Sequence, residues 1–282
     1  MPLVTFAAVL ETLRQSRALD AETFANYRRA TEKFGNFIGR PGSLDDLEIV
    51  SINRWIEYLE TQFKLTTVKN IRRDFLVVWH FAADQGLCSD PPIRKIRKVK
   101  PPKPIPEAWP ASWVPRLIKG AESLVGCLKC GTPYSTYAAA MFRFLADTLL
   151  RPKDCRLVKW DCIRPDGSIV LVQNKTKRVV VRRLQPTTMK ALSKMPRPKC
   201  EVFWLSKTQS ERLVRMTFHA AKIRKPKGQS IGHFRHTGGT EIFKKLGSDA
   251  AREALGHTPD SRIFETHYLD PTAKVTPSDS WY

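Results

Sequence analysis

The sequence predicts a mainly α-helical protein with one small β-hairpin, built as a helical N-terminal domain and a mixed α+β C-terminal domain. Three observations carry this expectation. Residues 1–92 bring apolar side chains back every three or four positions, the spacing of one helix face. Residues 93–110 break that pattern with prolines and basic residues and read as a linker. Residues 168–184 set two short runs rich in Val and Ile, Ile169–Val172 and Val179–Val181, about a short polar turn, and this strand signal occurs clearly once. A chain of 282 residues suits two domains of roughly 100–200 residues each. An apolar content of 42% supports a core in each.

In the first domain, Val4, Ala7, Leu10 and Leu13 mark a helix over 4–16. Asp20 can cap a second, in which Phe24, Tyr27, Ala30, Phe34 and Phe37 share a face. Ser51 can cap a third, with Ile52, Trp55, Ile56 and Leu59 on its apolar side. Thr66 or Thr67 starts a fourth, through Val68, Ile71, Phe75, Val78, Trp79 and Ala82. Gly86 fits its C-terminal stop, and Pro91-Pro92 prevents continuation. Arg28, Arg29, Lys33, Lys69, Arg72 and Arg73 fall on outer faces, where they can touch phosphates or be solvated.

Charge points to the partner. Lys and Arg number 48 against 27 Asp and Glu, a formal net charge of +21. Nucleic acid is the usual polymer that neutralises such an excess. The linker concentrates it: Arg94, Lys95, Arg97, Lys98, Lys100 and Lys103 lie among seven prolines between Pro91 and Pro110. An extended basic strap can cross a duplex and gain affinity by counterion release without reading sequence. No apolar run approaches the ~18 residues of a spanning helix. Met1 to Leu10 lacks the basic start and apolar core of a signal peptide. The six cysteines are too sparse for a disulfide scaffold and read as reduced cytoplasmic thiols. Cys127-Leu-Lys-Cys130 has zinc-knuckle spacing, but no second pair follows, so no metal is expected.

The second domain spans 111–268, with a polar tail over 269–282. Residues 111–124 and 134–149 read as helices, the latter apolar on a broad face and ending at Leu150-Arg151-Pro152-Lys153-Asp154. Asp154 lies three residues past Arg151, within reach of orienting its guanidinium. Ser168–Gln173 and Arg178–Leu184 form the hairpin strands, and Lys175 sits in the turn, where it can reach into a groove. Residues 186–195 and 207–223 read as helices, with a short extended piece at 201–205 between them. Residues 234–246 form another helix, broken at Gly247, after which Ser248 or Asp249 caps a helix ending at Gly256-His257. Ser261 to Tyr268 is a last helical turn.

The chemistry concentrates between Ser230 and Tyr268. Four of the six histidines lie there, with Arg235 and Tyr268. Imidazole titrates near neutrality and suits proton transfer. Guanidinium can hold two phosphate oxygens at once. A phenol is a nucleophile once activated. Each residue alone could be surface solvation; the ordered set suggests chemistry on a phosphate.

That order resembles the tyrosine recombinases, the phage-type integrases and their relatives, over nearly the whole chain. Thr148-Leu-Leu-Arg-Pro-Lys-Asp154-Cys-Arg-Leu-Val-Lys-Trp160 is similar to their first arginine box, usually Thr-Gly-Leu-Arg-x-x-Glu-x-x-x-Leu-x-Trp. Phe234-Arg-His-Thr237 is similar to the second, His-x-Leu-Arg-His-Thr, and Leu255-Gly-His257 to the Leu-Gly-His element. The resemblance implies a core-binding domain at 1–92, a catalytic domain at 111–268, and catalytic roles for Arg151, Lys175, Arg235, His257 and the nucleophile Tyr268. Two departures stand out. Gly232 occupies the position three before the second arginine, where the family has His or Lys; His233, one residue away, is a further candidate. The eleven-residue step from His257 to Tyr268 is slightly longer than usual.

The resemblance further implies a 3′-phosphotyrosyl intermediate, with no ATP, metal or other cofactor. Arg151 and Arg235 would clamp the phosphorane, His257 would add a hydrogen bond, and Lys175 would protonate the leaving 5′-oxygen. Double-stranded DNA is the partner, with four protomers on paired sites and the tail after Tyr268 docked on a neighbour. The setting is prokaryotic cytoplasm, at the nucleoid. Two other readings stay open: a DNA-binding protein that kept the fold with impaired chemistry, and relaxation of the type IB topoisomerase kind.

Overall fold

The computed structural model describes residues 3–103, 105–174, 176–258 and 260–271. Lys175 and the tail beyond 271 lie outside these residues. The chain divides into two compact units, Met1–Lys103 and Pro104–Tyr282.

The first unit is helical. Helix α1 (Phe6–Ser16) is capped by the Thr5 hydroxyl, which accepts from the Ala8 amide. Helix α2 (Ala21–Ile38) is capped by Asp20 as its sequence suggests, and ends on the left-handed Gly39. Helices α3 (Ile49–Gln62) and α4 (Leu65–Asp84) begin ahead of the expected signals at Ser51 and at Thr66 or Thr67, with Glu48 and Lys64 as the N-cap residues. Ser51 therefore lies inside the first turn of α3 rather than capping it; neither start carries a side-chain cap, so packing sets these ends. Phe6, Phe34, Trp55 and Phe75 meet at ring-centroid distances of 4.9–6.1 Å, each 3% exposed or less. Truncating Trp55 to Ala would cost about 3–5 kcal/mol, because the space cannot refill.

The basic segment after α4 is only partly a linker. Ile96 and Val99 are buried in the core of the first unit. Asn53 grips the backbone on both sides of Ile96, donating to the Lys95 carbonyl at 3.0 Å and accepting from the Arg97 amide at 2.7 Å. Arg72 Nε donates to the Arg97 carbonyl at 2.8 Å. The boundary between the two units falls at Lys103, inside the proline-rich 93–110 segment. Two apolar side chains outweighed the proline composition.

The second unit is built around α6 (Tyr134–Thr148), whose broad apolar face packs α5 (Trp113–Glu122), α8 (Pro186–Ser193), α9 (Lys207–Ala220) and α10 (His233–Ala254). Tyr137, Ala138, Ala140, Phe142, Phe144 and Leu145 of α6 are fully buried. A short helix, α7 (Pro152–Arg156), follows α6; Pro152 stands at its first position, where a missing N–H costs nothing. Strands β1 (Ser168–Val172) and β2 (Val179–Arg183) pair antiparallel as the expected hairpin, with Ser168 against Arg183 through Val172 against Val179. The extended piece expected at 201–205 reduces to a single bridge between Glu201 and Lys159. Gly247, at φ 84°, breaks α10 where the sequence places the break. Helix α11 (Ile263–His267) closes the described chain. Leu149, Ala251, Leu255, Phe264 and Leu269 form a separate small core under it, with Tyr268 against its edge. Among the described residues no helix is long and apolar enough to cross a membrane.

Candidate active site

Arg151 is the N-cap residue of α7 and follows the turn that ends α6. Leu149 makes that turn in the left-handed region, at φ 51°, a conformation disfavoured by a side chain. Its side chain is accommodated because residue 238 is glycine: a Cβ there would overlap Leu149 Cδ2. Arg151 Nη1 then donates to Gln173 Oε1 at 3.2 Å and lies 3.8 Å from Asp154 Oδ2. Asp154 is buried, and its Oδ1 accepts from the Asn174 amide at 2.9 Å. Asp154 thus ties the first arginine box to the hairpin turn that carries Lys175, whose own side chain lies outside the described residues.

Arg235 is on the first turns of α10 and is only 2% exposed. Its Nη1 donates to the Leu149 carbonyl at 2.8 Å, and its Nη2 donates to the Leu255 carbonyl. Nη2 also meets His257 Nε2 at 3.1 Å. A guanidinium only donates, so Nε2 of His257 accepts and its proton sits on Nδ1. Arg235 Nε has no partner among the described residues. Burial lowers the Arg235 pKa to about 10, with the Tyr268 oxygen opposing the shift and Arg151 adding to it; the group stays cationic at neutral pH. A buried cation with an unmet donor is costly, and an anion at that place would relieve the cost.

His257 is positioned by backbone geometry. Gly256 donates to the Glu253 carbonyl and His257 to the Arg252 carbonyl, a Schellman cap on the end of α10. Gly256 takes the required left-handed φ of 64°. It also passes so close to the hairpin that a Cβ would lie 2.8 Å from Gln173 Nε2 and 2.9 Å from Val180 Cγ1. The Leu-Gly-His element is thus a helix stop that delivers an imidazole to Arg235.

Tyr268 follows α11, its backbone N–H on the Phe264 carbonyl at 2.9 Å. Arg235 Cζ lies 5.1 Å from its ring centre. His257 and His236 flank the ring at 5.3 and 4.7 Å. The stack continues through His233, 4.8 Å from His236, to Trp109, 5.4 Å from His233. Burial pushes His236 and His257 down to about 4, with neighbouring cations in the same direction. Both are neutral acceptors at pH 7.

Four of the six sequence-predicted catalytic candidates, Arg151, Arg235, His257 and Tyr268, are brought together. His233 is turned into the stack, between Trp109 and His236, with Nδ1 3.4 Å from the Ser230 amide. Burial lowers its pKa too. Gly232 has helical φ and ψ, so its backbone accepts any residue; a Cβ would sit 3.3 Å from Ser230 Oγ and 3.6 Å from Pro152, beside Arg151. The sequence reading missed Gln173, Trp109 and His236. Gln173 is a fully buried amide at the end of an apolar strand, and that polarity was its signal. The basic residues Arg72, Arg73, Arg94, Lys95, Arg97, Lys98, Lys100 and Lys103 belong to the first unit. Arg97 is bound to Glu57 and Glu60 at 3.2 and 3.0 Å, and Arg73 to Asp74 at 2.8 Å. Among the described residues no cluster of His, Cys, Asp or Glu is gathered that could hold a metal ion.

A mainly helical unit with a two-stranded hairpin, gathering two arginines, a histidine and a tyrosine around one buried guanidinium, defines a class of fold. The solved structures that match it have the tyrosine recombinase fold. A lambda integrase dimer bound to a COC′ core site superposes with a TM-score of 0.73 at 18% identity, over 97% of this chain and 79% of that one. XerH site-specific recombinase, bound to a palindromic difH substrate, gives 0.71 at 15%, over 95% and 82%. The Tn1549 transposon integrase, in complex with circular intermediate DNA, gives 0.66 at 14%, over 99% and 98%. No protein-family model and no curated protein matches the sequence.

Proposed function

We propose that this protein is a site-specific DNA recombinase that cuts and rejoins double-stranded DNA through a 3′-phosphotyrosyl intermediate. The observation that carries the reading is the buried Arg235 guanidinium, with Nε unpartnered, His257 on Nη2 and the Tyr268 ring at 5.1 Å. In this reading the Tyr268 oxygen bonds to a backbone phosphorus and the P–O5′ bond breaks. The phenolic proton leaves to a neutral imidazole of the ring stack or to solvent, and Lys175 gives a proton to the departing 5′-oxygen. A 5′-hydroxyl of a second strand then attacks the phosphotyrosine and restores the phenol. Arg151 and Arg235 stabilise the charge that develops on the non-bridging oxygens, a role worth several kcal/mol for preorganised donors. No ATP, metal or cofactor enters these steps.

Solved neighbours with the fold include a lambda integrase tetramer on a Holliday junction. We extend the analogy to four protomers of this chain on paired DNA sites, with the helical unit and basic segment holding the duplex by its phosphates. Gly232 favours one second reading, a DNA-binding protein of this fold with slowed cleavage. A nicked suicide substrate decides between them. A denaturation-resistant protein–DNA band supports the recombinase; sequence-specific binding with no band supports the second reading.

A further inference from the structure

Arg182 lies on the inward face of β2, next to the buried Val180, where an apolar residue would ordinarily pack. Its donors go to carbonyl oxygens. Nη2 reaches Ala254 at 2.8 Å and Glu253 at 3.3 Å, Nε reaches Thr148 at 3.4 Å, and Nη1 reaches Val181 at 2.6 Å. Thr148 and Ala254 are the last residues of α6 and α10. Leu149 and Leu255, one residue further along each helix, supply the two carbonyls that hold Arg235. Two guanidiniums therefore divide the same two helix ends between them.

Helix C-termini carry orphan carbonyls and partial negative charge, which repel one another unless cations lie between them. Arg182 bridges the two ends, with Nε on Thr148 and Nη2 on Ala254 and Glu253. The orientation of Arg235 is set by one carbonyl from each end, so it depends on the separation of the ends. Resting on the function proposed above, we propose that Arg182 is a positioning residue for strand cleavage, holding the ends of α6 and α10 in the register that aims Arg235 at the phosphate. Arg182 also adds to the positive field that lowers the Arg235 pKa.

The test uses the full chain and four variants: Arg182→Met, which keeps length and loses the donors, Arg182→Lys, which keeps the charge, Arg235→Ala, and Arg182→Met combined with Arg235→Ala. Single-turnover formation of the covalent complex is measured well below the melting temperature, beside DNA affinity. Arg182→Met is expected to slow cleavage about 10–100-fold, the scale of a small misplacement of a reacting group, with affinity changed less than about threefold. Arg182→Lys should recover part of the rate. In the Arg235→Ala background, removing Arg182 should cost little more, because the two act as one unit. Multiplying losses, or parallel loss of affinity and rate, would overturn the proposal. An independent readout needs no cleavage: the Arg235 Nε–Hε signal in 15N NMR should broaden and lose exchange protection in Arg182→Met. An unchanged signal would overturn the positioning role, even if the wild-type chain forms no covalent complex and the proposed function itself fails.

Discussion

Arg97 and Arg235 show what separates the two units. Arg97 sits on the first unit with its side chain 44% exposed and both ends of its fork on glutamates. Arg235 sits in the second at 2% exposure, its donors on carbonyls and an imidazole. An exposed pair of the first kind adds little to stability, since water screens it. A buried cation of the second kind is held against its desolvation cost by dipoles that leave its charge uncancelled. The lesson is that basic composition alone does not mark a phosphate site. The cation that matters is the one that folding has buried without neutralising.

The largest expected effect falls on Tyr268. Tyr268→Phe removes one oxygen and little volume, so fold and DNA affinity should persist while the covalent band disappears. A band that survives in this variant would falsify the nucleophile assignment. Next, Arg151→Ala and Arg235→Ala should each lower single-turnover cleavage about 10²–10³-fold, as for a lost oxyanion donor, and DNA binding far less. Equal losses in both would reduce these arginines to anchors.

Gly232→His sharpens the comparison in the other direction. The backbone there is helical, and the new side chain would start beside Pro152 and Ser230. It should raise cleavage, by up to the roughly 10²-fold of a general acid–base group. A fall in rate would show instead that the His233 stack already serves and has been disturbed.

Acid should weaken the second unit selectively. His236 and His257 have folded pKa values of about 4 against 6.5 unfolded, so between those values the unfolded chain binds more protons. Their contribution is fully present above about pH 6.5 and is lost as pH falls toward 4. Thermal melts across this window should fall with pH, and His236→Asn should flatten the slope. A slope unchanged in that variant would mean other groups carry it.

The smallest effect should be Arg97→Gln. With Glu57 and Glu60 already on its fork, it should leave the salt dependence of DNA binding unchanged. Replacing Arg94, Lys95, Lys98, Lys100 and Lys103 with Gln should lower the salt slope by about one unit for each phosphate that is no longer neutralised. A drop of one unit for Arg97→Gln alone would show that DNA displaces the glutamates.

Much of this was legible in the chain because it is local. The apolar spacing of α2, α4 and α6, the Asp20 cap, the break at Gly247 and the two Val-rich runs of β1 and β2 about their turn each depend on neighbours a few residues away. Each motif is likewise a local backbone device, as the Schellman cap of Leu255-Gly256-His257 shows; that Arg151, Arg235, His257 and Tyr268 share one site was implied by the resemblance of their order to the tyrosine recombinases. The start of α3 at Ile49 was not legible, because its end is set by packing and carries no capping side chain.

What the sequence alone determined is therefore the helical frame, the hairpin and the order of the arginine, histidine and tyrosine motifs. The tertiary structure decided which cations are spent and which remain available. Arg97 meets glutamates about 40 positions away, and Arg235 meets carbonyls from two helix ends 20 and 86 positions away. Such partners are brought together by the burial of Ile96 and Val99 in one unit and of α6 in the other. Charge cancellation depends on distance through space, and no local pattern in a chain records that distance.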